Sequence, residues 1–131
     1  MRKLSEEKGF TLIELMAMLV IIGVLSSVAI KKYSFISASA ELRAIDAGIS
    51  ELNTRETLTW ANLIIAQGNY PGDDAVWDKM KTYTEIGSSY HWASAPDPGK
   101  GGHLSFGNQT VSLVRDASTM QVAGKWRKSE T

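Results

Sequence analysis

The chain of 131 residues is 44% hydrophobic and 21% charged, the balance of an ordinary globular protein, and its length allows one small domain at most. Lys plus Arg and Asp plus Glu both number 14, so there is no overall positive field to hold nucleic acid, and the charge argues against such a partner. No cysteine is present, which removes thiol catalysis, zinc fingers, iron–sulfur ligation and disulfides.

Residues 1–9, MRKLSEEKG, form a short polar leader in which Arg2, Lys3 and Lys8 outnumber Glu6 and Glu7. Residues 10–30, FTLIELMAMLVIIGVLSSVAI, hold Glu14 as their only charge. At ~1.5 Å per residue a helix of this length reaches roughly 30 Å, the thickness of a bilayer core. The sequence after Ile30 is KKYSFIS, with no A-x-A-like cleavage site, so the apolar run is expected to stay in the mature protein. The basic leader favours a cytoplasmic N-terminus, with Lys31 and Lys32 pulling the other way.

From Lys31 the pattern turns amphipathic. Phe35, Ala38, Leu42, Ile45, Ile49 and Leu52 recur by threes and fours among charged Glu41, Arg43, Asp46, Glu51 and Arg55, one apolar stripe on a helix. After Leu52 the register slips to Leu58, Ala61 and Ile65, which turns the apolar face around the axis. Gly48 weakens the helix by ~1 kcal/mol relative to Ala. No proline interrupts residues 10–66, so spanning residues 10–30 and amphipathic residues 31–66 are expected to form one helix. Gly68, Asn69 and Pro71 then end it.

Residues 67–131 form a small head. Residues 70–102 contain all three prolines and the glycine-rich PDPGKGG, which predicts a loop region with one short helix near Asp74 to Tyr83. Residues 103–127 alternate apolar and polar positions between the turn signals Gly107-Asn108 and Asp116-Ala117-Ser118, which predicts an antiparallel meander of about three strands. Leu104, Phe106, Val111, Leu113, Met120 and Val122 would make one apolar face, and the stripe of the long helix is the surface available to cover it. The expected class is α+β, a long helix packed on a small antiparallel sheet.

An acid inside a spanning segment costs about 2.5 to 3.5 kcal/mol on insertion scales, and the helix between Thr11 and Ser27 carries no cation to offset Glu14. Cleavage after Gly9 would place a new α-amine on Phe10 about one turn from Glu14. That amine is too constrained to satisfy Glu14 fully in its own chain, but well placed on a neighbouring copy shifted along the axis. The pattern therefore predicts axial self-assembly.

The segment KGFTLIELMAMLVIIGVLSSVAI, from Lys8 to Ile30, resembles the N-terminus of type IV pilins and type II secretion pseudopilins, the class III signal peptide group. The resemblance implies that an inner-membrane prepilin peptidase cuts between Gly9 and Phe10 and methylates the Phe10 amine, and that Glu14 pairs with that amine on an adjacent subunit. It further implies a precursor anchored once in the inner membrane with its head in the periplasm. An inner-membrane assembly platform would then build copies of this chain, or other pilin-like subunits, into a periplasmic or extracellular filament. The family's fold, a long helix whose second half packs on a small antiparallel sheet, agrees with the pattern above. Two departures stand out: Lys31 occupies a region where the family often has proline, and no cysteine is available for the disulfide of many pilus-forming members. A monomeric membrane-anchored periplasmic binding module is the alternative.

Major pseudopilins tend to use a loop-bound calcium ion. Asp73, Asp74 and Asp78 in YPGDDAVWDK, and Asp97 with Asp116, are the candidates for such oxygen ligands; their spacing fits no EF-hand, and acidic residues at helix caps and turns are the competing explanation. His91 and His103 lie singly in Gly- and Ser-rich stretches, which favours solvent exposure over a metal site. No catalytic constellation is evident, and GKGG lacks the spacing of a phosphate loop. A structural protein is expected, not an enzyme. Tyr70, Trp77, Tyr83, Tyr90, Trp92, Phe106 and Trp126 would fill the core of the head.

Overall fold

No residue from 12 to 67 is a proline, and helix α1 runs Leu12–Gln67. The computed structural model describes residues 9–130; residues 1–8 of the expected leader lie outside the described residues. The chain divides into two compact units, one ending at Ser37 and the other beginning at Ala38.

In the first unit every side chain from Gly9 to Ile36 is exposed, and the helix is long and apolar enough to cross a membrane. An apolar surface of this extent is not left to water in a folded protein.

Of the stripe expected from its spacing, α1 buries only the part from Ile45 to Leu52; Phe35 at 70% is exposed and Ala38 is half-buried. Ile45 and Leu52 are fully buried and Ile49 packs on the same core, whereas Leu42 is exposed. The buried face continues to Glu56, a position one turn beyond Leu52 that its charge had disguised. Gly48 belongs to this face for a steric reason. A Cβ there would lie 2.8 Å from Tyr90 Cε1 and 2.9 Å from Ile86 Cδ1, and the Tyr90 hydroxyl donates to the Ala44 carbonyl at 2.7 Å. The helix thus gives up propensity to admit an aromatic ring. Leu58 and Ile65 lie on the rotated face that the register slip implies, and both are exposed. At the end of α1 the N–H of Gly68, in the left-handed region at φ 71°, donates to the Ile64 carbonyl.

Helix α2 (Asp73–Met80) continues into a 3₁₀ turn at Lys81–Tyr83, close to the short helix expected there. It buries Val76 and Met80. The sheet has four antiparallel strands in the order β1 (Tyr90–Asp97), β2 (Gly101–Phe106), β3 (Gln109–Asp116) and β4 (Lys125–Lys128). The core gathers Ile45 and Leu52 of α1 with Met80, Leu104, Leu113 and Trp126.

Two expectations are corrected by these strands. Residues 90–97, assigned to the loop region, form edge strand β1, whose register shifts between Trp92 and Ser94 and again before Asp97. Such irregularity, with Pro96 near the strand end, blurs alternation and is tolerated at an edge. The last strand begins at Lys125 rather than Thr119. Residues 119–122 fold instead into a tight turn: Thr119 N–H donates to the Val122 carbonyl, and Thr119 Oγ1 accepts from the N–H groups of Gln121 and Val122. Met120 and Val122, expected on the inner face of the sheet, are therefore 73% and 63% exposed. The remaining four residues of that face behave as expected: Leu104 and Leu113 are buried, and Phe106 and Val111 pack on the core. The Gly107-Asn108 hairpin also forms where predicted, with Gly107 at φ 59° as the first central residue of a two-residue loop, the place a type II′ turn reserves for glycine.

Candidate functional site

Gly9 and Phe10 precede α1 and are exposed, outside regular secondary structure. The peptide bond between them is not held in the helical hydrogen-bond ladder. Thr11 is the residue immediately before the helix, and Glu14 is in its first turn. The Thr11 N–H donates to Glu14 Oε2 at 2.9 Å, and the Glu14 N–H donates to Thr11 Oγ1 at 3.3 Å. This reciprocal pair is a capping box, which satisfies two backbone donors that a helix start otherwise leaves unpaired. The signal was present in the sequence as Thr-Leu-Ile-Glu, the S/T-x-x-E pattern ahead of an apolar run.

The capping box gives Glu14 a local role and leaves its charge uncompensated. One carboxylate oxygen holds the Thr11 amide, and among the described residues no salt bridge reaches Glu14. A carboxylate in the first turn of a helix is favoured by the positive end of the helix dipole, and Glu14 Oε1 accepts no hydrogen bond among the described residues.

The head holds a second cluster of charged groups. Arg115 of β3 and Glu56 of α1 both have side chains at 0% exposure, and Asp73 at the start of α2 is at 22%. The guanidinium clasps both carboxylates. Nε and Nη2 donate to Glu56 at 3.1 and 2.5 Å, and Nη1 and Nη2 donate to Asp73 at 2.9 and 2.8 Å. Trp126 Nε1 adds a donor to Glu56 Oε2 at 3.0 Å, and the Ser118 N–H and hydroxyl both reach Asp73 Oδ1. Arg115 also lies over the Trp77 ring, 5.2 Å from its centroid. Burial opposes charge on Asp73, but the hydrogen bonds from Arg115 and Ser118 outweigh it and hold the carboxyl below the ordinary aspartate range. Burial likewise works against the Arg115 charge, and the two carboxylates overcome it and raise its pKa. The cluster ties α1, α2 and β3 together. Its sequence signal was weak, because an isolated Glu and Arg 59 positions apart are brought together only by the fold.

The five aspartates considered for calcium are each placed differently. Asp73 is the Arg115 partner just described. Asp74 is exposed in the first turn of α2. Asp78 pairs with Lys81 at 2.5 Å. Asp97 Oδ1 accepts the N–H groups of Gly99 and Lys100, and Asp116 pairs with Arg127 at 2.9 Å. Calcium requires six to eight oxygens around one point, and among the described residues no group of three or more His, Asp or Glu side chains is arranged to hold a metal. His91 and His103 are exposed on adjacent strands β1 and β2. His103 Nδ1 shares a hydrogen bond with Ser94 Oγ at 2.7 Å.

No solved structure matches the chain. Residues 4–30 match the family model of the prokaryotic N-terminal methylation motif. The matched span contains Gly9, Phe10, Thr11 and Glu14 and most of the exposed apolar helix.

Proposed function

We propose that this chain, whose residues 4–30 are the class III signal peptide of type IV pilins and pseudopilins, is a structural subunit that is stored in the inner membrane and assembled into a filament. The prepilin peptidase cuts between Gly9 and Phe10 and methylates the new amine. The observation that carries the proposal is the conjunction of that motif with a helix start whose side chains are all exposed and whose one acid, Glu14, has no ion-pair partner among the described residues. Lipid covers such a surface in the stored precursor. In the filament, the same segment of other subunits replaces the lipid, and the Phe10 amine of one subunit meets the Glu14 carboxylate of the next. Contacts of this head-to-tail kind do not close on themselves, so they propagate into a fibre. The filament is a type IV pilus or a type II secretion pseudopilus, raised from an inner-membrane platform with the heads on the periplasmic side.

The proposal is supported by the exposed, non-helical Gly9-Phe10 junction, which a protease can take in extended form, and by the capping box, which keeps Glu14 beside the future N-terminus. Mass spectrometry of the mature chain tests processing; the expected species begins at Phe10 and carries one added methyl group. Replacing Glu14→Leu tests assembly, since the variant is expected to insert and be cut normally but to yield no filaments. Normal filaments from Glu14→Leu refute the pairing. Mature material that begins at Met1 and stays monomeric in membranes under crosslinking refutes the filament and returns the anchored binding module.

A further inference from the structure

Between the apolar run of α1 and the second compact unit lies a collar, Lys31 to Ile36. All of its side chains are exposed, Tyr33, Phe35 and Ile36 at 77%, 70% and 63%, and partial burial begins only at Ser37. The two lysines have no counter-charge. No acid occurs between Glu14 and Glu41, so neither lysine has an acidic neighbour three or four places away on the helix surface. Among the described residues no salt bridge reaches either of them.

The collar is not simply a polar end to the apolar run, because aromatic and aliphatic side chains resume directly after the lysines. At ~3.6 residues per turn, Lys31, Lys32, Tyr33, Phe35 and Ile36 are spread over most of the circumference of the helix. Such a ring suits the boundary between hydrocarbon and headgroups, where tyrosine rings lie at headgroup level and lysine stems cover apolar surface while their ammonium groups stay in the polar layer. The lengths agree. Residues 10–30 reach roughly the ~30 Å of a hydrocarbon core, and residues 31–36 add roughly 9 Å, close to the ~5–8 Å depth of one headgroup layer.

We infer that Lys31 and Lys32 bind the phosphates of anionic phospholipids, with Tyr33, Phe35 and Ile36 set among the headgroups and the adjoining acyl chains. The inference rests on the membrane-anchored reading above, on which these lipids belong to the leaflet opposite the Gly9-Phe10 junction. Bound headgroups fix how far α1 sits across the bilayer. Glu14 is roughly 25 Å from Lys31 along the helix, so a collar held in one headgroup layer brings Glu14 within a few ångströms of the other boundary. There a carboxylate is less costly than at the bilayer centre. The collar thereby keeps the acid near the face where cleavage occurs.

The full chain is reconstituted in phosphatidylcholine vesicles with a trace of spin-labelled phosphatidylglycerol or spin-labelled phosphatidylcholine, and electron spin resonance at low salt reads the fraction of each immobilised beside the protein. One lysine favours an anionic headgroup by about fivefold; averaged over all lipids around the helix, a preference of about twofold or more for phosphatidylglycerol is expected. Lys31→Gln with Lys32→Gln is expected to lose that preference by about twofold, and Lys31→Arg with Lys32→Arg to keep it. The leader is common to the three proteins and cancels in the comparison. A nitroxide at Ser27→Cys, in a chain with no cysteine of its own, is expected to become less accessible to a water-soluble nickel chelate in the glutamine variant, because the collar then slides into the hydrocarbon. Equal immobilisation of the two lipids, a preference that survives the glutamine variant, or an unchanged label depth overturns the inference. Loss of the preference in millimolar inorganic phosphate at constant ionic strength assigns the lysines to free phosphate and overturns it too. A parent chain that fails to float with vesicles refutes the anchored reading itself; one that floats without headgroup preference refutes the collar alone.

Discussion

Replacing Arg115→Met removes the one cation that faces two carboxylates at the centre of the head. Glu56 is left with no exposure and with only the Trp126 Nε1 donor in place of three. Breaking a buried pair from one side costs ~3–5 kcal/mol because the other charge stays buried and uncompensated. Asp73 contributes less, since its side chain is partly exposed and keeps Ser118. Against a total stability of about 5–15 kcal/mol, the loss is a large fraction of what holds the head folded. All four tryptophans, Trp60, Trp77, Trp92 and Trp126, lie in the second compact unit, which begins at Ala38, so a urea titration of the full chain in detergent, followed by their fluorescence, reads this unit alone. The expected result is a lower midpoint at unchanged slope. Adding Glu56→Gln to Arg115→Met removes the stranded charge, and the double variant is expected to be more stable than the sum of the single losses implies, by roughly 0.5–3 kcal/mol. An Arg115→Met variant within about 0.5 kcal/mol of the parent, the range of ordinary surface changes, refutes the role given to the cluster.

Asp73 has its pKa lowered from an ordinary value of 3.8, so its contribution is fully present above that value and is lost as pH falls through the depressed folded value. Asp73→Asn is therefore expected to be less stable than the parent at neutral pH, with the gap closing below pH 3.8; a gap that stays constant through an acid titration contradicts this. Gly48→Ala gains ~1 kcal/mol of helix propensity but drives a methyl group against Tyr90 and Ile86, an overpacking worth about 1–3 kcal/mol. A net loss in the same urea titration is expected, and a more stable variant shows that Tyr90 yields.

The long helix, its end at Gly68, the Gly107-Asn108 hairpin and the buried stripe at Ile45, Ile49 and Leu52 were legible because each is a local pattern with a period or a turn residue of its own. The N-terminal motif was legible for the same reason: Gly9, Phe10, Thr11 and Glu14 lie within six positions, and their chemistry needs no distant partner in the same chain. Strand β1 was not legible, because an edge strand with a shifted register and a proline has no clean alternation. Residues 119–122 misled in the opposite direction. Thr-Met-Gln-Val alternates as a strand does, but the Thr119 hydroxyl captures two following amides and closes the backbone into a turn.

Sequence alone therefore determined where the long apolar helix runs, where the N-terminal methylation motif lies, and which part of the amphipathic helix is buried, since each depends on neighbours a few residues apart. Tertiary structure decided that Glu56 and Arg115 are interior, that Asp73 is their partner, and that Met120 and Val122 face outward. A charged side chain becomes a core residue only when folding brings its counter-ion within about 3 Å, and an apolar one remains outside when local backbone hydrogen bonds outcompete its burial.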